Sequence, residues 1–491
     1  MKNQVQLITY VERLGNGGLG TLQGLLGAEL AGLFGGVHLL PFFDSIHGAD
    51  AGFDPKDHSQ VDPTLGSWQD VRALANRIDL MADVIVNHMS AESPQFLDYL
   101  ARGEASPYAD LFLTWDRAFP DGARQSDLLA IYRPRPGLPF TAKTLADGRR
   151  QLFWTTFTAQ QMDIDVHSAS GRAYLQGILD IFATNGIRMV RLDAAGYAVK
   201  KAGSSCFMLP ETFEFISQFA RQAKALGIEV LVEIHSHFQT QIDIAKKVDW
   251  VYDFALSPLL LHSFFSGNAD ALKHWFAIRP RNAITVLDTH DGIGILDIAA
   301  DPQDKRGKPG LIAPDALNAV VERIHENAQG QSRQATGAAA SNLDLYQVNC
   351  SYFDAMGRND RAYLLARAIQ FFMPGVPQIY YVGLLAGHND MDLLARTGVG
   401  RDINRHYYSP QEITQALSRP VVQDLCDLIR LRNTCAAFDG QCALLDCAPT
   451  AVHIRWDHGA EFAELFVDLS TLDYRLHSGR GSDTQSHRFR C

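Results

Sequence analysis

The chain has 491 residues, more than one ordinary domain, although a barrel of alternating strands and helices with insertions could hold most of it. Hydrophobic residues make up 46% of the chain and charged residues 20%, which excludes a disordered or fibrous protein and predicts a large core. The formal net charge of -11 argues against nucleic acid or an anionic membrane as a partner.

Short apolar runs alternate with amphipathic segments along most of the chain, a pattern typical of βαβ units. The helical pattern is clearest at 171–184 and 212–226, which precede the fourth and fifth runs. Eight such runs favour an α/β fold with a closed (β/α)8 TIM barrel over an open sheet. The predicted parallel strands lie at 5–10, 36–42, 81–88, 186–193, 229–235, 250–256, 283–291 and 377–383.

Two connections between the predicted strands are too long for a simple crossover. The segment 87–167 follows the third strand and is rich in proline, glycine and aromatic residues, and the segment 292–357 follows the seventh strand. Both segments leave from C-terminal strand ends, the face on which barrel enzymes build their active sites. We therefore expect two insertions that overhang the pocket.

The pattern changes after about residue 437. Short alternating runs at 452–457, 463–470 and 474–477, separated by turns, predict a small antiparallel β domain. The predicted organisation is a barrel in three parts with two insertions and a C-terminal domain. The barrel parts span 1–86, 168–291 and 358–437, the insertions 87–167 and 292–357, and the C-terminal domain 438–491.

The N-terminus, the long apolar region and the cysteines together predict a cytoplasmic protein. The N-terminus runs directly into a strand-like segment, so no secretory leader is expected. The apolar region 364–387 is broken by Arg367, Gln370 and Pro374, which argues against a membrane span. The seven cysteines are scattered and lack CxxC spacing, which favours reduced thiols over a disulfide framework or a zinc site.

The fourth predicted strand ends on two charged residues, Arg191 and Asp193. Their side chains point to the same side, because side chains alternate along a strand. A carboxylate beside a guanidinium is expected to stay ionised, as an anionic nucleophile must be. On their own, the two residues could equally well form a structural ion pair.

Polar residues also follow three other predicted strands. His88 follows the third strand, Glu233 and His235 the fifth, and His290 and Asp291 the seventh. Each residue alone could be a simple strand-end or turn residue. A barrel brings these strand ends together, so we expect three carboxylates, several histidines and an arginine around one cavity.

Three carboxyl groups in one pocket are suited to glycosidic chemistry. One carboxylate attacks or stabilises the sugar carbon, and a protonated carboxyl group protonates the leaving oxygen. Asp193 is predicted to be the ionised nucleophile. Glu233, preceded by Leu231 and Val232, is predicted to be the acid, with a pKa raised by apolar burial and nearby carboxylates. Asp291 is expected to bind sugar hydroxyls and favour the distorted transition state.

The segments around these residues resemble the four signature regions of the α-amylase superfamily of glycoside hydrolases. These regions are ADVIVNH at 82–88, VRLDA at 190–194, Glu233, and THD at 289–291. Further segments are similar to the subgroup of this superfamily whose members phosphorolyse sucrose, and the similarity extends from residue 1 to about 437. They are QLITY at 6–10, GADAGFD at 48–54, YRPRPGLPF at 132–140, LDTHDGI at 287–293, GAAASNLDLYQV at 337–348 and GRDINR at 400–405.

The resemblance implies a retaining reaction in which the glucosyl unit of sucrose passes to inorganic phosphate through a β-glucosyl-enzyme, yielding α-glucose 1-phosphate and fructose. Asp193 would be the nucleophile, Glu233 the general acid/base and Asp291 the transition-state stabiliser. The residues implied to hold the glucosyl unit are Asp50, Phe53 as an apolar platform, His88, Arg191, His290 and Arg401. Those implied to receive fructose and then phosphate are Tyr132, Arg135, Tyr197, His235, Asp344, Leu345, Tyr346 and Gln347.

A phosphate acceptor must approach past the carboxylates, and this repulsion calls for local cations. Arg135 and His235 are suitably placed in the sequence to supply them. Without the resemblance, Arg135 would be interpreted as a solvated loop arginine.

Neither a metal nor an organic cofactor is expected. Asn87 matches an asparagine that helps to hold a structural calcium ion in many α-amylases, but the resemblance here is to metal-free members. No cluster of acidic oxygens near residue 87 suggests a calcium cage. The resemblance is also compatible with a homodimer.

Several alternatives stay open at this point. Close relatives with the same donor chemistry would be a phosphorylase of sucrose 6′-phosphate, glucosylglycerol or glucosylglycerate, or a sucrose hydrolase. The segment 343–347 adds no cation for an extra phosphate, which favours unmodified sucrose. A catalytically inactive barrel that serves as a binding module is disfavoured, because all three carboxylates are present.

Overall fold

The centre of the molecule is a closed barrel of eight parallel strands, each paired with the next along the chain and the last paired with the first. The computed structural model describes residues 1–46, 50–134, 137–301, 307–336 and 347–491. The predicted TIM barrel is confirmed. Its strands are β1 (Gln6–Thr9), β2 (Gly36–Leu39), β3 (Asp79–Ile85), β4 (Ile187–Asp193), β5 (Glu229–Val232), β6 (Trp250–Asp253), β7 (Ala283–Thr285) and β8 (Val376–Tyr380).

Helices connect the strands, and the two helices predicted from the sequence are present as Ala169–Thr184 and Pro210–Ala225. The first begins where the Ser168 hydroxyl accepts a hydrogen bond from the backbone N–H of Gly171, and the second begins with a proline at its first position. In the described part of the chain, no helix is long and apolar enough to cross a membrane. The other connecting helices are Leu19–Gly27, Trp68–Ala75, Phe238–Ala245, Leu256–Ser266, Asp270–Ile278, Asp360–Phe372, Pro410–Leu417 and Pro420–Thr434.

The long connections after β3 and β7 contain short elements of their own. The domain boundaries proposed from the sequence stay predictions. After β3 come the strand pairs His88–Ser90 with Gln161–Asp163 and Phe140–Thr144 with Arg150–Trp154, and the helices Pro94–Arg102, Trp115–Ala118 and Gln125–Ala130. After β7 come the strand pair Ile293–Gly294 with Gln347–Val348 and the helices Pro314–Asn327, Gln331–Gln334 and Tyr352–Ala355. The remaining elements are the strand pair Phe43–Ser45 with Pro55–Val61 and the helices Tyr381–Leu384 and Met391–Thr397.

Strand β4 ends at Asp193, as predicted, but β3, β5 and β7 end earlier than the sequence pattern indicates. After β3, the parallel pairing stops because the following residues pair outside the barrel. His88–Ser90 forms an antiparallel pair with Gln161–Asp163. The polar residues that follow these strands therefore stand on segments just beyond the barrel rim, where side chains can turn into a cavity.

The C-terminal segment is a five-stranded antiparallel sheet, so the predicted β domain is confirmed. Its first and last strands were not predicted from the sequence, and the last lacks apolar alternation. The Trp456 indole donates a hydrogen bond of 2.8 Å to the carbonyl of Phe372 and so attaches the sheet to the barrel. The strands are β9 (Gln441–Leu444), β10 (Ala451–His458), β11 (Glu461–Asp468), β12 (Tyr474–Arg480) and β13 (Asp483–His487).

Candidate active site

One cavity at the C-terminal ends of the barrel strands gathers most of the residues predicted from the sequence. Arg191 is buried next to this cavity and contacts two of its carboxylates. Four predicted residues, Arg135, Asp344, Leu345 and Tyr346, lie outside the described residues. The predicted residues that line the cavity are Asp50, Phe53, His88, Tyr132, Asp193, Tyr197, Glu233, His235, His290, Asp291, Gln347 and Arg401.

The guanidinium group of Arg191 is shared by three carboxylates. Its Nη1 lies 3.3 Å from Asp193 Oδ1 and also donates to Asp83, while its Nη2 lies 2.6 Å from Glu233 Oε1. Asp83 lies on β3 beside Arg191 on β4 in the strand register. Burial opposes ionisation of Asp83, but His38 and Arg191 outweigh it and lower the pKa to about 2. Sequence analysis missed Asp83, although a single aspartate inside a buried apolar strand was a usable signal.

The protonation of Asp193 differs from the expectation. Burial raises the pKa of Asp193 well above its usual range, Glu233 and Asp83 add to this effect, and Arg191 opposes it. Arg191 favours the ionised form of Asp193, as expected, but its guanidinium also contacts Asp83 and Glu233 and does not outweigh burial.

Asp291 is the carboxylate that the site holds in its ionised form. Its Oδ1 lies 2.9 Å from Arg401 Nη1, 3.7 Å from His290 Nε2 and 3.9 Å from Arg405 Nη2. Burial would raise its pKa, but these groups hold the pKa of Asp291 well below its usual range. Arg405 was not predicted as a site residue, although it ends the GRDINR segment; its Nε also donates to the His290 carbonyl at 2.9 Å.

His88 and His290 are neutral donors and acceptors around Phe53. Burial lowers the pKa of both imidazoles. The His88 Nε2–H donates to the Phe53 carbonyl at 2.9 Å, and the Phe53 ring stacks on His290 with centroids 4.7 Å apart. Next to them, the Gln161 amide donates to Asp50 at 2.9 Å. Neutral imidazoles and an apolar ring are the groups that a bound sugar needs.

An aromatic wall lines another part of the cavity. The Phe207 ring lies 4.6 Å from both Tyr132 and Tyr197 between centroids, and Phe157 meets Tyr197 edge-on at 5.1 Å. Sequence analysis named the two tyrosines but missed Phe157 and Phe207, which both line the cavity. The aromatic richness of the first insertion was the available signal for Phe157.

His235 lies between two carboxylates, Asp297 and Glu233. Its Nδ1 lies 3.0 Å from the buried Asp297 carboxylate, and its Nε2 lies 4.0 Å from Glu233 Oε1. Burial lowers the pKa of His235, but Asp297, Glu233 and Asp291 outweigh burial and raise it. Sequence analysis did not identify Asp297.

Ligand atoms of Glu233, His235 and Asp291 lie within 4.8 Å of one another, a spacing that could hold a metal ion. The two carboxylates already contact the guanidinium groups of Arg191 and Arg401 at 2.6 and 2.9 Å. These cations neutralise the carboxylates and repel a further positive charge. The cluster is therefore better suited to an organic hydroxyl than to a metal.

A lysine ammonium group stands beside Asn87, the residue that matches a calcium-binding asparagine in α-amylases. Lys200 Nζ lies 2.5 Å from both Asn87 Oδ1 and Asp163 Oδ2, and its side chain is 2% exposed. Thr156 donates two further hydrogen bonds to Asp163. Lys200 thus supplies a positive charge at this position and links the first insertion to the segment after β4.

We expect Lys200→Met to lower the free energy of unfolding by about 3–5 kcal/mol, because it leaves the buried Asp163 carboxylate unpaired. Denaturant unfolding at neutral pH measures this loss. The matched control is Lys201→Met, because the neighbouring ammonium group is 61% exposed and pairs with Glu211 at the surface. Little change is expected for the control. Equal losses in the two variants would contradict the structural role of Lys200.

The chain is similar to proteins of one enzyme family over most of its length. The α-amylase family, described as "Alpha amylase, catalytic domain", matches residues 16–277. A sucrose phosphorylase of Agrobacterium vitis is 59% identical over 470 residues, which cover 96% of this chain and 96% of the relative. One of Bifidobacterium adolescentis is 53% identical over 456 residues, which cover 93% and 90%. The crystal structure of sucrose 6F-phosphate phosphorylase from Thermoanaerobacter thermosaccharolyticum superposes with a TM-score of 0.91 at 37% identity, over 99% of this chain and 98% of that chain.

Proposed function

The chain belongs to the α-amylase family and, within it, to the sucrose phosphorylases, and we propose from this membership that it transfers the glucosyl unit of sucrose to inorganic phosphate. The products are α-D-glucose 1-phosphate and D-fructose, and the reaction is reversible. One observation of the site carries the proposal: two carboxyl groups, Asp193 and Glu233, both contact the guanidinium of Arg191, and Glu233 lies beside the imidazole of His235, whose pKa the neighbouring carboxylates raise. The pair supports a retaining displacement, and the imidazolium supports an anionic acceptor.

In the first step, Asp193 attacks the anomeric carbon of the glucosyl unit as the bond to the fructosyl oxygen breaks. Glu233 delivers the proton that the departing fructose needs. The mechanism therefore requires an ionised Asp193 and a protonated Glu233 when sucrose is bound. Asp291, ionised beside Arg401, accepts hydrogen bonds from sugar hydroxyls and favours the positively charged transition state.

In the second step, a phosphate oxygen attacks the same carbon and releases Asp193. Glu233 takes up the proton that the phosphate loses, which restores the starting state. Two displacements at one carbon retain the configuration, so the product is the α-anomer. In a retaining enzyme the two carboxyl groups are expected to lie roughly 5–5.5 Å apart when substrate is bound.

The roles of the other lining residues follow from their positions around the cavity. We assign the glucosyl unit to Asp50, Phe53, His88 and His290 with Arg401, and the acceptor to the aromatic wall, His235 and Gln347. Arg135 and the segment 344–346 stay predictions as further acceptor residues. A homodimer, a cytoplasmic location and independence from metals and organic cofactors also stay predictions.

Unmodified sucrose is proposed as the donor rather than its 6′-phosphate. Two relatives that share more than half of their residues with this chain are sucrose phosphorylases, whereas a structural relative at 37% identity is a sucrose 6F-phosphate phosphorylase. Phosphorolysis of glucosylglycerol or glucosylglycerate and simple hydrolysis of sucrose are the other outcomes to be distinguished.

The test is the release of α-glucose 1-phosphate from sucrose with and without inorganic phosphate, with sucrose 6′-phosphate, glucosylglycerol and glucosylglycerate as competing donors. We expect phosphate-dependent product that is largest with sucrose. Glucose and fructose alone at every phosphate concentration would contradict the proposal and indicate a hydrolase. Turnover restricted to another donor would assign the chain to that sister activity.

A further inference from the structure

We propose that Asp297 is a positioning residue for the phosphate step, because its buried carboxylate holds the His235 imidazolium with Nε2 directed into the cavity. The inference rests on the proposed function, in which phosphate approaches the glucosyl-enzyme past three carboxylates. Asp297 acts through His235, since it does not line the cavity.

The carboxylate of Asp297 is fully buried in the turn Leu296–Ile298 of the second insertion. Its Oδ2 accepts from His235 Nδ1 at 3.0 Å, and its Oδ1 accepts from the Gln241 amide at 2.6 Å and from the Ser236 N–H at 3.4 Å. Among the residues that the structure describes, no lysine or arginine forms an ion pair with Asp297. The imidazolium of His235 is therefore its counterion.

Close packing fixes both the His235 ring and the bond to Asp297. The His235 ring stacks on Phe254 with centroids 3.9 Å apart and planes inclined by 18°. A Cβ atom on Gly294 would lie 2.4 Å from Asp297 Oδ2 and 3.2 Å from His235 Nδ1, so only glycine fits here. Gly294 also pairs with Gln347, whose amide nitrogen lies 3.3 Å from His235 Nε2. The strand pair of Ile293–Gly294 with Gln347–Val348 thus holds Gln347 beside His235, and the turn that follows Gly294 brings Asp297 to the other side of the ring.

The charges around His235 explain why this bond matters for an anion. The acidic groups near the ring include Asp297 at Nδ1, Glu233 at Nε2 and, farther away, Asp291. With Nδ1–H committed to Asp297, the Nε2 lone pair of a neutral ring would accept from the Gln347 amide, and the ring would offer no donor to a phosphate oxygen. The protonated ring presents an N–H donor instead. Asp297 favours that protonated form, whereas the attack of Asp193 on sucrose needs no donor from His235.

We expect Asp297→Asn to lower kcat/KM for phosphate by about 10- to 100-fold, because a hydrogen bond to a charged group contributes on that scale. Glucose release from sucrose without phosphate should change by less than about threefold, because water is neutral and needs no imidazolium. The loss should grow as the pH rises, since the variant loses its imidazolium at lower pH than the wild type. Asp243→Asn is the control, because Asp243 is exposed on the neighbouring helix Phe238–Ala245.

Equal losses with phosphate and with water, or no loss with phosphate, would overturn the inference. Gly294→Ala is a second variant that keeps every charge but forces a methyl group between Asp297 and His235. The same selective loss is expected, and unchanged phosphate kinetics in this variant would also overturn the inference.

A measurement independent of activity separates this inference from the proposed function. The NMR titration of ¹⁵N-labelled His235, assigned by comparison with His235→Gln, should have a lower midpoint in Asp297→Asn than in the wild type. An unchanged midpoint would overturn the role of Asp297 even if the wild type makes α-glucose 1-phosphate. A lowered midpoint in a protein that makes no α-glucose 1-phosphate would reject the proposed function and keep the Asp297–His235 coupling.

Discussion

Asp193→Asn is expected to lower the phosphorolysis of sucrose by at least about 10,000-fold, the scale on which loss of a nucleophile acts in other enzymes. The amide cannot form the glucosyl ester, and it keeps the size of the carboxyl group beside Arg191. The same loss is expected with α-glucosyl fluoride, because a better leaving group cannot replace a missing nucleophile. Steady-state rates with both donors measure the effect.

The loss of activity should occur without a loss of stability at neutral pH. Burial and neighbouring carboxylates raise the pKa of Asp193 in the folded state, so its contribution to stability is present at low pH and is lost as the pH rises through that pKa. The amide has no ionised form, so the free energy of unfolding of the variant should fall less between acid and neutral pH than that of the wild type.

The matched control is Asp180→Asn, an exposed residue on the helix Ala169–Thr184, for which wild-type rates are expected. An Asp193→Asn variant that keeps a tenth or more of wild-type turnover would contradict the assignment of Asp193. A variant that is inactive because it is unfolded would be recognised by its unfolding curve. In that case Asp193→Ala and Asp193→Ser, tested in the same way, would decide the assignment.

Glu233→Gln is expected to lower turnover of sucrose by about 100- to 10,000-fold, the usual contribution of a general acid. With α-glucosyl fluoride the loss of glucosyl transfer to Asp193 should be small, because fluoride departs without a proton. The ratio of rates for the two donors in Glu233→Gln measures this difference. The glutamine keeps the size of the side chain that contacts Arg191 Nη2.

The two variants together distinguish the roles of the two carboxyl groups. We expect that the donor α-glucosyl fluoride restores glucosyl transfer in Glu233→Gln and that Asp193→Asn stays inactive with it. The opposite pattern would exchange the two roles. Equal losses with both donors in both variants would mean that neither residue takes part as proposed and that the site supports another reaction.

The barrel and the positions of the three carboxyl groups could be predicted from the sequence, because both depend on local patterns. Apolar runs that alternate with amphipathic segments determine the eight strands, and the RLD segment on β4 places Arg191 and Asp193 on the same face. The ends of β3, β5 and β7 could not be predicted in the same way. The end of β3, for example, depends on the strand pair His88–Ser90 with Gln161–Asp163, which joins distant parts of the chain.

The residues that set the charges in the site come from far away in the sequence, and a local pattern cannot reveal such contacts. Asp83 is 108 positions from Arg191, and Asp297 is 62 positions from His235. The direction of the pKa shift of Asp193 could not be predicted for the same reason, since it depends on burial and on how many carboxylates share one guanidinium. Lys200 beside Asn87 is a further contact across the fold, 113 positions apart.

The most direct test of the central claim is the exchange of ³²P-labelled inorganic phosphate into α-glucose 1-phosphate with no fructose or sucrose present. A covalent glucosyl-enzyme on Asp193 that accepts phosphate predicts rapid exchange in the wild type and none in Asp193→Asn. Exchange that requires fructose would mean a single displacement without this intermediate. Absence of exchange under all conditions, in an enzyme that still cleaves sucrose, would contradict phosphate as the acceptor.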